Sequence, residues 1–424
     1  MLALVFVFIL VLLVLGVPIA FAIGAPTLIG FQIAGLSLTS FSTSFLTSMD
    51  SFTLMAVPFF ILSGGLMEKG GISERLVNFA KLFVGKIYGG LGIVTCIACA
   101  FFGAVSGSAA ATTASMGGIM YPEMKKANYD SNFCAALIAV AGTVGAIIPP
   151  SLGFVIYGAA TGVSIGDMFA AGVFPGILLT AMLSVTCYIT ARKNHWVPAD
   201  MEKKSGRQVL HVLKESILAL VMPGIILGGI YSGQFTPTEA GAVACLYALI
   251  VAKFIYKSLS WKDIYDIFKD SASLTVVCLI VAAFCDPFAK LLTLGGIPEA
   301  LEAIITSVAS SKITFLIIVN LILIVVGMFV DAVPAIMVLA PLLLPIAQQY
   351  DVDPVHFGII MCMNLTLGLS TPPVGSSLYI SASITGMPVA DICRKLVPLV
   401  GVSILCLLIV TYIPALSVGI LGRA

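Results

Sequence analysis

Two stretches of this chain lie over each other without a gap. Residues 143–158, TVGAIIPPSLGFVIYG, match residues 366–381, TLGLSTPPVGSSLYIS, at an offset of 223, with Thr143/Thr366, Gly145/Gly368, Pro149/Pro372 and Pro150/Pro373 identical. Pro122/Pro345, Asp130/Asp353 and Pro175/Pro398 keep that register, and GGISERL at 70–76 matches GGIPEAL at 295–301 at an offset of 225. One shared proline is chance; a series in one register constrains the two halves to one fold. Both Pro–Pro pairs lie inside long apolar runs. Proline there removes an amide donor and clashes with the preceding turn, so each run is expected to be a helix broken mid-membrane.

Apolar residues make up 60% of the 424 and charged residues 10%, against roughly 25% charge in a soluble domain. That excludes a water-soluble globule. At ~20 residues per crossing there is room for at most about a dozen spans, and the chain reads as an all-α polytopic membrane protein. A net charge of +1 with no long basic run argues against nucleic acid as a partner. Three histidines argue against a His-rich metal site. No GxxxxGK[ST] occurs and no soluble segment is long enough for a nucleotide domain, so the energy is expected from an ion gradient or a partner chain rather than from ATP bound by this chain. The opening stretch, 2–24, lacks a basic leader and is too long for a signal segment, so it reads as a retained span. Cys96 and Cys99 form a CxxC inside an apolar run, where small residues serve helix packing.

Lys and Arg in short loops mark the cytoplasmic side. Placing the blocks around Lys69–Lys86, Lys125–Lys126, Arg192–Lys214, Lys253–Lys269 and Arg394–Lys395 inside leaves only Lys290, Lys312 and Arg423 of the 21 basic residues outside. This threading puts the N-terminus outside, with spans near 2–24, 27–47 and 53–68, and lays the amphipathic ISERLVNFAKLFVGK along the membrane surface. The loop equivalent to Lys125–Lys126 is AQQYDVDPVH, which is acidic. The two copies therefore face opposite sides, the inverted-repeat architecture of secondary transporters. The first repeat is expected over 1–194, with a re-entrant hairpin at about 89–124 and a broken helix at about 132–162. A cytoplasmic linker follows at 195–214. The second repeat takes 215–424, with its hairpin at about 313–347 and its broken helix at about 356–385.

Bare carbonyls at membrane depth are tolerated where they bind something or line a cavity. Oxygens alone suit a hard monovalent cation, and at least two Na⁺ are expected as co-transported ions. Site one is assigned to Ser106, Ser108, Gly145, Ile148 and Pro150; the offset gives site two as Phe329, Asp331, Gly368, Thr371 and Pro373. Asp331 stands where Ser108 does, and an intramembrane carboxylate marks function by default; the plainer reading is a neutral acid bonded to a neighbouring helix. Half-helices starting at Ser151 and Gly375 direct positive dipole ends inward, which favours an anion. Hydroxyls of Ser108, Thr112, Ser151, Ser376 and Ser377 are the candidates to hold it.

The segments SGSAAATTASMGGIMYPEM, GAIIPPSLGFVIYGAATGVSIGDMFAAGVFPG and STPPVGSSLYIS resemble the large membrane subunit, DctM-like or SiaM-like, of tripartite ATP-independent periplasmic (TRAP) transporters, and the resemblance covers essentially the whole chain. It implies an elevator fold similar to the divalent anion/Na⁺ symporters and import of an organic acid such as a C4-dicarboxylate or sialic acid. It also implies a small four-helix membrane subunit, a periplasmic substrate-binding protein, and residence in a bacterial inner membrane. The alternative is a stand-alone Na⁺/carboxylate symporter. An intramembrane protease is remote, because His195 and His211 lie in a loop, His356 starts a helix, and Asp331 has no partner acid.

Overall fold

The computed structural model describes residues 2–84, 87–196, 206–309 and 311–423, and these form helices with no strand. The first half runs α1 (Leu2–Val14), α2 (Ile19–Ile33), α3 (Leu38–Met49), α4 (Ala56–Lys69), α5 (Ile72–Phe83), α6 (Gly90–Ser106), α7 (Ala109–Lys126), α8 (Ser131–Val144), α9 (Leu152–Thr161) and α10 (Ile165–Lys193). The second contains α11 (Gly206–Tyr231), α12 (Pro237–Ile250), α13 (Trp261–Leu294), α14 (Ile297–Val308), α15 (Lys312–Phe329), α16 (Ala332–Gln349), α17 (Pro354–Gly368), α18 (Ser376–Thr385) and α19 (Val389–Tyr412).

From α4–α10 to α13–α19 the series repeats element by element, and so do the local devices. Gly71 before α5 and Gly296 before α14 both sit at φ 72, ψ 22, a left-handed conformation that costs glycine little. Asp130 accepts from the amides of Asn132 and Phe133 to cap α8, and Asp353 does the same for α17 with Val355 and His356. Both Pro–Pro bonds are cis.

Seven of the described helices are long and apolar enough to cross a bilayer by length and composition. Helices α8 and α9, with 14 and 10 residues, are shorter than the ~20 that a crossing needs; each covers part of the depth, and the break lies between them. The first halves of the broken helices form the centre of the protein: every residue from Phe133 to Val144 and from Val355 to Gly368 is buried.

The expected first span over 2–24 is instead two helices. Val17 and Gly16 donate backward to Leu12 and Leu13, closing α1 with Gly16 at φ 77, and Pro18 precedes α2. Gly35, at φ 70, divides the second expected span in the same way. Hydropathy reads through a lone glycine, whereas the backbone turns there. Of the expected linker, 197–205 lies outside the described residues and 206–214 forms the first turns of α11. Trp196 stacks on Tyr129 with ring centroids 4.8 Å apart. The amphipathic stretch is α5, whose Ile72, Leu76, Val77 and Ala80 are buried. Cys96 and Cys99 are free and buried, Cys96 Sγ lying 4.0 Å from Cys187 Sγ.

Candidate functional site

In the first repeat the hairpin α6–α7 turns at Gly107 and Ser108. Gly107 takes φ 62 to end α6, and Ser108 caps α7 by accepting from the Ala111 amide. This tip rests on the interruption between α8 and α9. A Cβ on Gly103 would overlap Gly145, one on Gly145 would overlap the Thr112 hydroxyl, and one on Gly107 would lie 2.6 Å from the Pro150 carbonyl oxygen. The Leu152 amide donates to Gly107 at 3.2 Å, joining tip to break.

The hydroxyls here have a determined direction. Thr112 spends its one proton on the Ser108 carbonyl at 2.7 Å, so in the 3.2 Å contact between Ser106 and Thr112 the Ser106 hydroxyl is the donor. Both Ser106 lone pairs are left over. Ser151 donates to Ala146 at 2.6 Å and spans the break. The Ile148 amide bonds back to Val144, and Pro149 and Pro150 have no amide to offer. Among the described residues, the carbonyls of Gly145, Ile148 and Pro150 are left without a backbone donor.

The second repeat builds the same junction from different residues. Helix α15 ends at Phe329, Val330 is extended, and Asp331 caps α16 with the Val333 amide at 3.5 Å. A Cβ on Gly368 would overlap the Gly327 backbone, and the Gly375 amide donates to Met328 at 3.2 Å. Thr371 donates its amide to Gly368 at 2.9 Å and its hydroxyl to Leu367 at 3.0 Å, while Pro373 accepts from the Tyr379 hydroxyl at 3.4 Å. Ser377 is fully buried and its hydroxyl has no partner among the described residues.

Both hairpin tips open onto one cavity of about 560 Å³. Ser106, Ser108 and Leu152 line it from the first repeat, and Asp331, Val333 and Ile380 from the second; α4 and α13 close the other side through Gly64, Gly65, Lys69, Asp270 and Ser271. Of the residues expected to bind ions or substrate, Ser106, Ser108 and Asp331 face this cavity. Gly145, Ile148 and Pro150 lie behind the first tip, and Phe329, Gly368, Thr371 and Pro373 around the second. Thr112 is buried in the contact between tip and break, Ser151 stands directly before the lining Leu152 at the start of α9, and Ser376 and Ser377 open α18 about one turn before the lining Ile380.

Sequence reading missed Gly103 and Gly327, although they align at an offset of 224 and each allows its hairpin to touch its break. It also missed the wall from α4 and α13, for which the Gly64–Gly65 pair was the one available signal. At the N-terminal end of α8, Asp130 pairs with Lys395 at 3.0 Å. Partial burial pushes its carboxyl up, but the Lys395 bond and the Phe133 and Asn132 amides outweigh it and hold the pKa below the ordinary aspartate value.

Two inverted copies of a hairpin resting on a broken helix, around a shared cavity, define a secondary-transporter fold. The structure of the Alcanivorax borkumensis YdaH transporter matches it with a TM-score of 0.66 over 90% of each chain, at 12% identity, a likeness of fold alone. The model of the tripartite ATP-independent periplasmic transporter DctM component matches residues 6–416, and the chain belongs to that family. It is 41% identical to the C4-dicarboxylate TRAP transporter large permease protein DctM of Pseudomonas aeruginosa, over 94% of this chain and 92% of that one. It is 36% identical to the sialic acid large permease protein SiaM of Vibrio cholerae, over 95% and 94%. With the isethionate permease protein DctMQ of Oleidesulfovibrio alaskensis it shares 37% identity over 97% of this chain and 65% of that protein. These relatives are permeases, and this chain is a multi-span transporter subunit rather than an enzyme.

Proposed function

We propose that this chain is the large membrane subunit of a Na⁺-driven importer of small organic acid anions, C4-dicarboxylate or sialic acid in class, working by an elevator motion in a bacterial inner membrane. A small four-helix membrane subunit and a periplasmic binding protein complete it. The N-terminus is periplasmic, and the mouth of the cavity beside Lys69 faces the cytoplasm, in keeping with the distribution of basic residues. The observation that carries the reading is the first junction, where a helix break leaves three backbone carbonyls without amide donors and the hairpin tip packed on it carries Ser106 with its lone pairs free. That is an all-oxygen environment of the kind a hard cation takes.

In this reading the second junction, with Asp331, holds another Na⁺, and the substrate carboxylate lies between the tips near Ser108 and the starts of α9 and α18. Two Na⁺ moving with a monoanion, at a tenfold gradient and 100 mV, supply about 5 kcal/mol, on the order of a thousandfold accumulation. With a dianion the voltage contribution vanishes and the figure falls to about a hundredfold, so a dicarboxylate calls for a third Na⁺. The test is uptake by the complex reconstituted in liposomes. Replacing Na⁺ with K⁺ at fixed pH should abolish it, and uptake that persists unchanged in K⁺ refutes the proposal.

A further inference from the structure

The cavity between the hairpin tips and the wall of α4 and α13 has an uneven charge balance. Among the described residues lining it, Lys69 carries the one positive charge, against Glu68, Asp270 and Asp331. Lys69 ends α4, and its ammonium donates to Asp270 of α13 at 3.1 Å, with the two side chains 50% and 65% exposed. An ion pair so wet contributes little to stability, so another carboxylate exchanges into it at little cost. Below the pair, Gly65 packs against Ile267 and lies near Ser271, keeping that part of the wall narrow and uncharged.

We propose that Lys69 is an exit subsite for the substrate carboxylate: a positioning cation on the wall that takes the anion from the hairpin tips, while Asp270 competes for the same ammonium and drives the anion off. This rests on the importer reading above. Lys69 lines the cavity from the end of α4 and Ser108 and Asp331 line it from the hairpin tips, so with the basic residues inside it meets substrate at the cytoplasmic mouth rather than at first capture. Its contribution is therefore confined to the inner side of the cycle. The structural alternative is that Lys69 only complements the C-terminal dipole of α4, in which case its removal changes stability and leaves substrate affinity on both sides alone.

The test uses the full complex in liposomes, with external binding protein engaging only the outward-facing orientation. Vesicles are loaded with graded unlabelled succinate, N-acetylneuraminate or isethionate, and the internal concentration that halves Na⁺-driven uptake is read. Lys69→Gln should raise that concentration about tenfold, and Asp270→Asn should lower it about threefold by removing the competing anion. The external KM should stay at the wild-type value in both, and Lys69→Arg should restore the internal value. If Lys69→Gln does not fold, Asp270→Asn carries the test, since its amide oxygen still accepts from Lys69. Internal values equal to wild type, or external and internal values shifting together, overturn the exit subsite. Failure of the wild-type complex to take up any of the three acids with Na⁺ removes the importer reading, and this inference with it.

Discussion

The two hairpin junctions share a backbone plan and differ in chemistry. The first turns on Gly107 and Ser108, is neutral, and leaves three carbonyls of its break without amide donors. The second turns on Val330 and Asp331, carries a carboxylate, and engages the Gly368 carbonyl through Thr371. The difference extends into the helices behind them. In the second repeat Asn364 donates to Asn320 at 2.7 Å, and buried His356 contacts Ser417 Oγ at 2.7 Å and the Thr411 carbonyl at 3.1 Å. At the positions 223 residues earlier the first repeat has Ala141, Ile97 and Phe133. The two copies thus share a geometry, while their residues make one junction charged and leave the other neutral. If each junction holds a cation, the first does so with oriented backbone and the second with charge.

The sharpest way to break this comparison is to fill the contact between hairpin and break in each copy. Gly368→Ala puts its methyl on the Gly327 backbone, which cannot step aside, and should abolish uptake and cost about 3 kcal/mol in thermal unfolding. Gly145→Ala meets the Thr112 side chain instead, so its loss of stability should be partly recovered in the double variant with Thr112→Ala. Equal behaviour of the two, with no recovery, means the junctions are closed alike.

Next in size is the charge at the tip. Asp331→Asn should weaken the apparent Na⁺ affinity of uptake on the order of tenfold or more, and Ser108→Ala only about threefold, because a neutral hydroxyl is one ligand among several. A Na⁺ titration showing the reverse order places the charged cation site elsewhere.

A third contrast lies in the arms. Helix α5 is tied to the first hairpin by Lys81 and Glu123 at 2.6 Å and by Ser73 and Ser115 at 2.9 Å, and to α11 by the Ser216 hydroxyl on the Arg75 carbonyl. At the position of Glu123 the second repeat has Ile346. Glu123→Gln should cost about 1 kcal/mol and speed amide exchange in α5, with α14 unchanged; equal acceleration in both arms argues against the tie.

The smallest effect concerns the caps. Because the Asp130 pKa is lowered in the folded protein, its stabilisation is complete above the ordinary aspartate value and is lost as pH falls through the folded value. Asp130→Asn should therefore destabilise the protein by up to about 1 kcal/mol near neutral pH and flatten stability against pH in the acid range. Asp353→Asn keeps an oxygen to accept from the Val355 and His356 amides and breaks no ion pair among the described residues, so it should cost less.

Much of the fold was legible from residues whose effects are local. Pro149–Pro150 and Pro372–Pro373 interrupt a helix wherever it runs, Asp130 and Asp353 start one, and glycine after Lys69 and Leu294 turns the chain into an arm helix. The first two spans were misread because Gly16 and Gly35 act by backbone angle, to which hydropathy is blind. Ser106, Ser108 and Asp331 were legible as cavity candidates because they are polar in apolar runs. Lys69 was read only as part of a cytoplasmic basic block, and Asp270 drew no reading.

By itself, then, the order of residues determined the class of the protein, the duplication, and where each copy breaks its helix, since proline, glycine and capping acids act on their own backbone within a turn. The tertiary structure decided which tip meets which break, that both tips share one cavity, and that α4 and α13 supply its far wall with a single lysine. Those contacts join residues from about forty positions apart, as Gly327 and Gly368, to about two hundred, as Lys69 and Asp270, and they depend on shape and close approach, which no local pattern records.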